Sequence, residues 1–242
     1  MEKLSLQSVL ERTNASLKGN WKYAIIAITL YYAITIITTV VYTIISLKVP
    51  IPFVNILLYL FLFLPLEWGL SISFLNIIRG ENIGNGSVFQ AFNKDNYSRV
   101  FETKALQYIF IFLWGLLFYI PGIIKSISYA MTDFILKDNP DIKNDAVIEK
   151  SMKMMNGHKA KFFLLYLSVL WPMFLFMIPF FFIMFFYSSG TFTSVTTIIA
   201  IILLAVISIP LGLWCSSRWY AASAHFYEML KEETQQQESI VE

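Results

Sequence analysis

The stretch ALQYIFIFLWGLLFYIPGIIKSISYAMTDFIL, residues 105–136, decides how this chain is folded. It is largely apolar up to Ile124, meets Pro121 and Gly122 near the middle, and carries Lys125 and Asp133 into a second apolar stretch. Basic segments flank it, at 79–104 and 125–161, and a third occupies 1–22. Lysine- and arginine-rich loops stay on the cytoplasmic side of a membrane. If 105–124 crossed once, the two flanking segments would face opposite compartments and the seven lysines of 125–161 would lie outside. The economical solution is a helix over 101–120 that breaks at Pro121 and Gly122 and returns as a shorter helix over 123–137. Proline removes a backbone donor and glycine loosens the chain, so a break there is tolerated where neighbouring helices cover the freed carbonyls. This predicts about six membrane helices with both termini cytoplasmic. The alternative is five crossings with the C-terminus outside.

Composition agrees with a membrane setting. Of 242 residues, 57% are hydrophobic and 14% charged, with a mean hydropathy of +0.63, too apolar for a soluble globule. The net charge of +2 is spread among loops and gives no support to nucleic-acid binding. One cysteine, Cys215, and two distant histidines, His158 and His225, make neither a disulfide nor a metal site. No metal or other cofactor is expected.

Working outward, apolar runs at 23–47 and 53–78 form a hairpin around Pro50 and Pro52, and runs at 162–187 and 192–217 form another around Gly190. Each is long enough to span roughly 30 Å of hydrocarbon at about 1.5 Å per residue. Cytoplasmic loops are expected at 79–100 and 138–161. Two short amphipathic stretches precede the hairpins and resemble each other. The first, within 1–22, sets Leu6, Leu10 and Leu17 before Lys18, Gly19, Trp21 and Lys22; the second sets Ile148, Met152 and Met155 before Gly157, Lys159 and Lys161. Each reads as interfacial helix, glycine stop, basic anchor and membrane helix. A weak internal duplication and the shared demands of any inner-face helix start explain the likeness equally well. Val88, Phe89, Phe92 and Tyr97 among Lys94, Arg99 and Lys104 suit a segment lying in the lipid interface with its cations on headgroups. Gly80, Gly84 and Gly86 follow a membrane helix and no strand, so they read as a turn and not as a nucleotide loop. Residues 1–230 form one membrane domain, and the acidic, glutamine-rich segment 231–242 reads as a disordered tail.

LKGNW at 17–21, IPGIIK at 120–125, SYAM at 128–131, ILKDNP at 135–140 and SMKMMNGHKAKFFLLYLS at 151–168 closely resemble the bacterial membrane proteins grouped as domain of unknown function 975. The resemblance runs from about residue 12 to Leu230. It departs at Val169–Pro172, where VLWP replaces a usual glycine–tryptophan pair, and in the phenylalanine-rich outer part of the last hairpin. It implies a multi-pass protein of the bacterial cytoplasmic membrane and carries over no catalytic residues.

Glu67 is the polar residue set deepest in an apolar run, and a carboxylate at that depth is costly unless it faces protein or water. Asp133 is its expected companion, with Lys125 and Arg218 as neutralising cations; an intramembrane polar site of these four is one reading. The other is that Glu67 orders helix packing and Asp133 sits near the headgroups. No nucleophile–base grouping, zinc spacing or phosphate loop occurs. The expected function is therefore non-enzymatic: binding of membrane lipid, or of an unidentified membrane or cytoplasmic protein, in envelope homeostasis or tolerance to membrane-active peptides. A small transporter or channel using Glu67 and the Pro121–Gly122 break is the alternative, and a membrane-embedded lipid enzyme the third class.

Overall fold

The computed structural model describes residues 4–49, 53–81, 86–142 and 144–241; the expected turn at Pro50 and Pro52, and Gly84, lie outside the described residues. Every element among them is helical. Helix α1 (Leu6–Leu17) starts with a reciprocal cap, in which the Ser5 hydroxyl accepts from the Ser8 amide and the Ser8 hydroxyl from the Ser5 amide, each at 3.1 Å. It stops at Gly19 (φ +91°), and α2 (Trp21–Ser46) follows. The same order recurs later: α8 (Asn144–Met154), Gly157 at φ +79°, then α9 (Lys159–Ser188). Only glycine holds that left-handed conformation without strain.

Between these pairs, α3 (Val54–Leu58) runs through a wider π turn at Tyr59–Phe63 into α4 (Leu64–Arg79). Pro65 has no N–H for the Phe61 carbonyl, and the Tyr97 hydroxyl donates to that oxygen at 3.0 Å. Helix α4 is the centre of the molecule. Its Trp68, Ile72 and Leu75 enter one buried cluster, with Phe134, Leu165 and Phe226, while Leu66, Leu70 and Phe74 enter a second, with Leu17, Ile28 and Ala221. A helix apolar on all sides belongs inside. A 3-10 turn at Ser87–Phe92 lies so close to α4 that a Cβ on Gly69 would come within 1.9 Å of the Val88 carbonyl oxygen.

Helix α5 (Lys94–Leu117) ends at Phe118, an extended residue (φ −158°, ψ 139°), and α6 (Tyr119–Ser128) turns back along it. The break therefore precedes Pro121 and Gly122 and does not fall on them. Proline fits a first helical turn, where its missing N–H costs nothing, so it starts the returning helix. Gly122 instead serves the packing: a Cβ there would be 2.9 Å from the Gly115 Cα. The return arm is also interrupted, at 129–131, before α7 (Thr132–Asp138). Helix α5 itself begins several residues before the expected position 101.

The hairpin brings the chain back to the end it left. Arg99, near the start of α5, donates to the carbonyls of Leu136 at 2.9 Å, of Ile142 at 3.4 Å and of Asn139, and Thr103 donates to Asn144 Oδ1 at 2.9 Å. Helix α1 meets residues 225–232 there too. His225 Nε2 lies 2.9 Å from Ser16 Oγ, and Arg12 pairs with Glu232 at 3.7 Å.

Helix α10 (Ser194–Val241) is continuous for 48 residues, about 72 Å at helical rise. It carries the segment expected to be disordered. Lysine, glutamate and glutamine extend an existing helix at little cost because no new nucleus is needed, and Lys231 and Glu232 anchor it by ion pairs. Among the described residues, five helices are long and apolar enough to cross a membrane: Trp21–Ser46, Val54–Arg79, Asn96–Leu117, Lys159–Ser188 and Ser194–Gln236. Helix α6, at ten residues or about 15 Å, is too short to be a sixth by itself. The far halves of α2, α9 and α10 bury little, with Ile36 60%, Phe185 63% and Ile209 62% exposed, the surface of a chain solvated by lipid.

Candidate functional site

Three helices build a polar centre inside the apolar body. Helix α4 contributes Glu67, Trp68 and Ser71, and α5 contributes Lys104, Gln107 and Tyr108; both sets use the spacing that places side chains on one helical face. Helix α7 contributes Asp133. Lys104 is only 3% exposed, and its Nζ lies 3.0 Å and 3.2 Å from the two Asp133 carboxylate oxygens. The Ser71 hydroxyl donates to Asp133 Oδ2 at 3.0 Å, and Trp68 Nε1 donates to the Asp133 carbonyl at 3.1 Å. Asp133 is thus held by an ammonium and a hydroxyl, a set of charge-assisted bonds inside the protein.

Glu67 is half-buried and accepts from the Tyr108 hydroxyl at 3.1 Å. It makes no ion pair among the described residues. Two carboxylates and one ammonium leave the centre with an excess of one negative charge when all three are ionised. Together with Tyr220 and Ser223 of α10 these groups line a cavity of about 320 Å³. Gln107 donates through Nε2 to the Tyr129 carbonyl at 3.3 Å, but its Oε1 has no partner, and the buried Ser223 hydroxyl has none either. Gln107 is 8% and Ser223 7% exposed. Buried polar atoms without partners are uncommon enough to mark a place where a ligand or water belongs.

The structure brings Glu67 and Asp133 to one cavity and leaves Lys125 and Arg218 away from it. Lys125 stands 4.8 Å from the centre of the Trp114 ring and 3.7 Å from Met152 Sδ, because α6 runs antiparallel to α5 and that position meets a higher turn. Arg218 lies over Trp214, on its own helix, at 4.5 Å. The cation the cavity does use, Lys104, was expected on lipid headgroups, as was Arg99. Both turn inward, Lys104 to Asp133 and Arg99 to the carbonyls that end α7. Helix α5 starts early enough to place them within its packed length, where a free cation would be costly. Of the other expected headgroup contacts, Lys18, Lys22 and Lys94 are exposed, Trp21 and Lys159 half-buried, and Lys161 donates to the Leu4 carbonyl at 3.3 Å. The break at Phe118 is ten residues from Tyr108, about 15 Å along α5, and so lies apart from the cavity.

A second charged cluster escaped the sequence reading. Asp138, closing α7, receives two bonds from Arg79 at 2.9 Å and 2.8 Å, one from Lys231 at 2.6 Å and one from the Tyr227 hydroxyl at 2.9 Å. Burial alone would push its carboxyl up, but the bonds from Arg79, Lys231 and Tyr227 outweigh it and hold the group well below the ordinary carboxylate range. The signal in the sequence is only that Arg79, Asp138 and Lys231 each close an apolar segment. No group of three histidine, cysteine or acidic side chains among the described residues could hold a metal ion. No protein-family model, curated protein or solved structure matches the chain.

Proposed function

We propose that this chain is a multi-pass protein of a bacterial cytoplasmic membrane, of the domain-of-unknown-function-975 type, that binds a ligand reversibly in the Glu67–Lys104–Asp133 cavity and does not transform it. The observation that carries the reading is the cavity itself: two carboxylates against one ammonium, and two buried polar atoms without partners, inside an otherwise apolar bundle. Binding is favoured over catalysis because Lys104 and the Ser71 hydroxyl are both engaged by Asp133, the Glu67 carboxylate accepts from the Tyr108 phenol, and no carboxylate bonds the remaining Ser223 hydroxyl. In this reading α5, α6 and α7 enter the membrane and return. Its support is the meeting of Arg99 with residues 136–142 and of α1 with α10 at one end of the bundle, so that all three basic segments share the cytoplasm. The role that suits such a protein is sensing or buffering of the envelope, including tolerance to membrane-active peptides.

Native mass spectrometry of the chain purified in mild detergent tests the binding. A small molecule or lipid is expected to stay with the protein and to be lost from Glu67→Gln or Gln107→Leu protein of unchanged helix content. Protein that retains nothing beyond detergent, or retains it equally in both variants, overturns the reading. A small transporter is the second reading, favoured by the helix irregularities at Tyr59–Phe63 and Phe118 beside α4 and α5. Flux through reconstituted vesicles that stops in Glu67→Gln selects it over binding alone.

A further inference from the structure

The polar cavity does not end at its polar wall. Ser126, Ala130, Phe162 and Trp219 border it and also border a second, apolar cavity of about 450 Å³ lined by Ile123, Ile127, Phe163 and Tyr166. The second space lies between α6 and α9, and Ile123, Phe163 and Tyr166 are 39%, 43% and 39% exposed on the outer surface of the bundle. The two cavities therefore adjoin across these four residues, one facing the surface where lipid chains lie and the other holding Glu67. One end is apolar and open; the other is polar and sets two carboxylates against one ammonium.

We infer, resting on the binding reading above, that the occupant is a membrane lipid whose head ends in a primary ammonium, with that ammonium in the Glu67 cavity and an acyl chain in the groove between α6 and α9. Charge complementarity selects the head. The ammonium of Lys104 is already paired with Asp133, so the carboxylate of Glu67 is the group left to balance an incoming cation. Hydrogen-bond chemistry narrows it further. Glu67 and the unpartnered Gln107 Oε1 are acceptors, and the Ser223 hydroxyl accepts as readily as it donates. A primary ammonium offers three N–H donors to them, whereas a trimethylammonium carries the same charge and offers none. A glycerol head brings hydroxyl donors but no positive charge, so its phosphate adds a negative charge that nothing in the head offsets. The site thus distinguishes an ethanolamine head from a choline head by donors and from a glycerol head by charge.

Native mass spectrometry with defined lipids tests the assignment: the purified full chain is titrated with phosphatidylethanolamine, phosphatidylcholine and phosphatidylglycerol of identical short acyl chains. Phosphatidylethanolamine is expected to bind at least tenfold more tightly than the other two. Glu67→Gln and Gln107→Leu should each remove most of that preference, and Ile127→Trp, which fills the groove, should weaken all three lipids together. Circular dichroism and unfolding temperature show that each variant is folded, and a variant that fails this check is replaced by Ser223→Ala, which removes one acceptor and little volume. Choline or glycerol lipid bound as tightly as ethanolamine lipid, yet still displaced by Gln107→Leu, overturns the ammonium assignment and keeps the cavity as a lipid site. Lipid retention that no cavity or groove variant alters overturns both.

Discussion

Lys104 shows how much one side chain settles at this site. A lysine among apolar residues near a membrane surface reads as a headgroup anchor, yet here it is the counter-ion of a carboxylate that α7 inserts between α4 and α5. Removing one partner of a buried pair strands the other charge, which costs roughly 3–5 kcal/mol, whereas replacing both by apolar groups is often neutral. Lys104→Met should lower the unfolding temperature in detergent by roughly 6–20 °C, and adding Asp133→Leu should recover most of the loss. An unchanged transition in the single variant would mean that Asp133 is not held as an anion by Lys104. Glu67 was legible as a candidate because depth in an apolar run is a one-dimensional property. Lys104 was not, because its meaning depends on where residue 133 returns, 29 positions later.

At the scale of elements, Pro121 and Gly122 revealed that the chain turns back but not where. The sequence carries proline's cost in mid-helix and its tolerance in a first turn with the same letter, and the second applied, which moved the break to Phe118. The amphipathic segments, the glycine stops at Gly19 and Gly157 and the long apolar helices follow local patterns and could be read directly. The helical extension of α10 past Lys231 could not, because it is anchored by groups on α1 and α7. Asp138 joins three of these elements: the end of α4, the end of α7 and the far part of α10. Its folded-state titration lies below that of the unfolded chain, so its contribution is full above the ordinary carboxylate value of about 4 and is lost as pH falls through the depressed folded value. Acidification from about pH 5 towards pH 2 should therefore loosen the segment after Leu230 first, seen as earlier amide exchange there. Asp138→Asn should show that loosened state already at neutral pH and respond less to acid; a pH response equal to that of the native chain would remove Asp138 as its cause.

Across the whole molecule, the start of α5 meets the end of α7, and α1 meets the far part of α10. The prediction at this scale is topological. In intact cells a cysteine at position 150, in a chain whose Cys215 is replaced by alanine, should resist a membrane-impermeant thiol reagent until the membrane is opened, as should one introduced at position 232. Labelling of position 150 from outside would separate α8 from the face that holds the termini and undo the returning hairpin.

The contrast between a packed inner body and bare outer stretches on α2, α9 and α10 gives the molecule the mechanics of a tuning fork. Its handle is fixed by interlocked side chains, while its prongs, the outer part of α2 and the joined outer parts of α9 and α10, turn bare side chains to the surrounding fluid. A thicker, stiffer or more crowded bilayer presses on the prongs without touching the handle, so the composition of the surrounding lipid becomes part of the protein's shape.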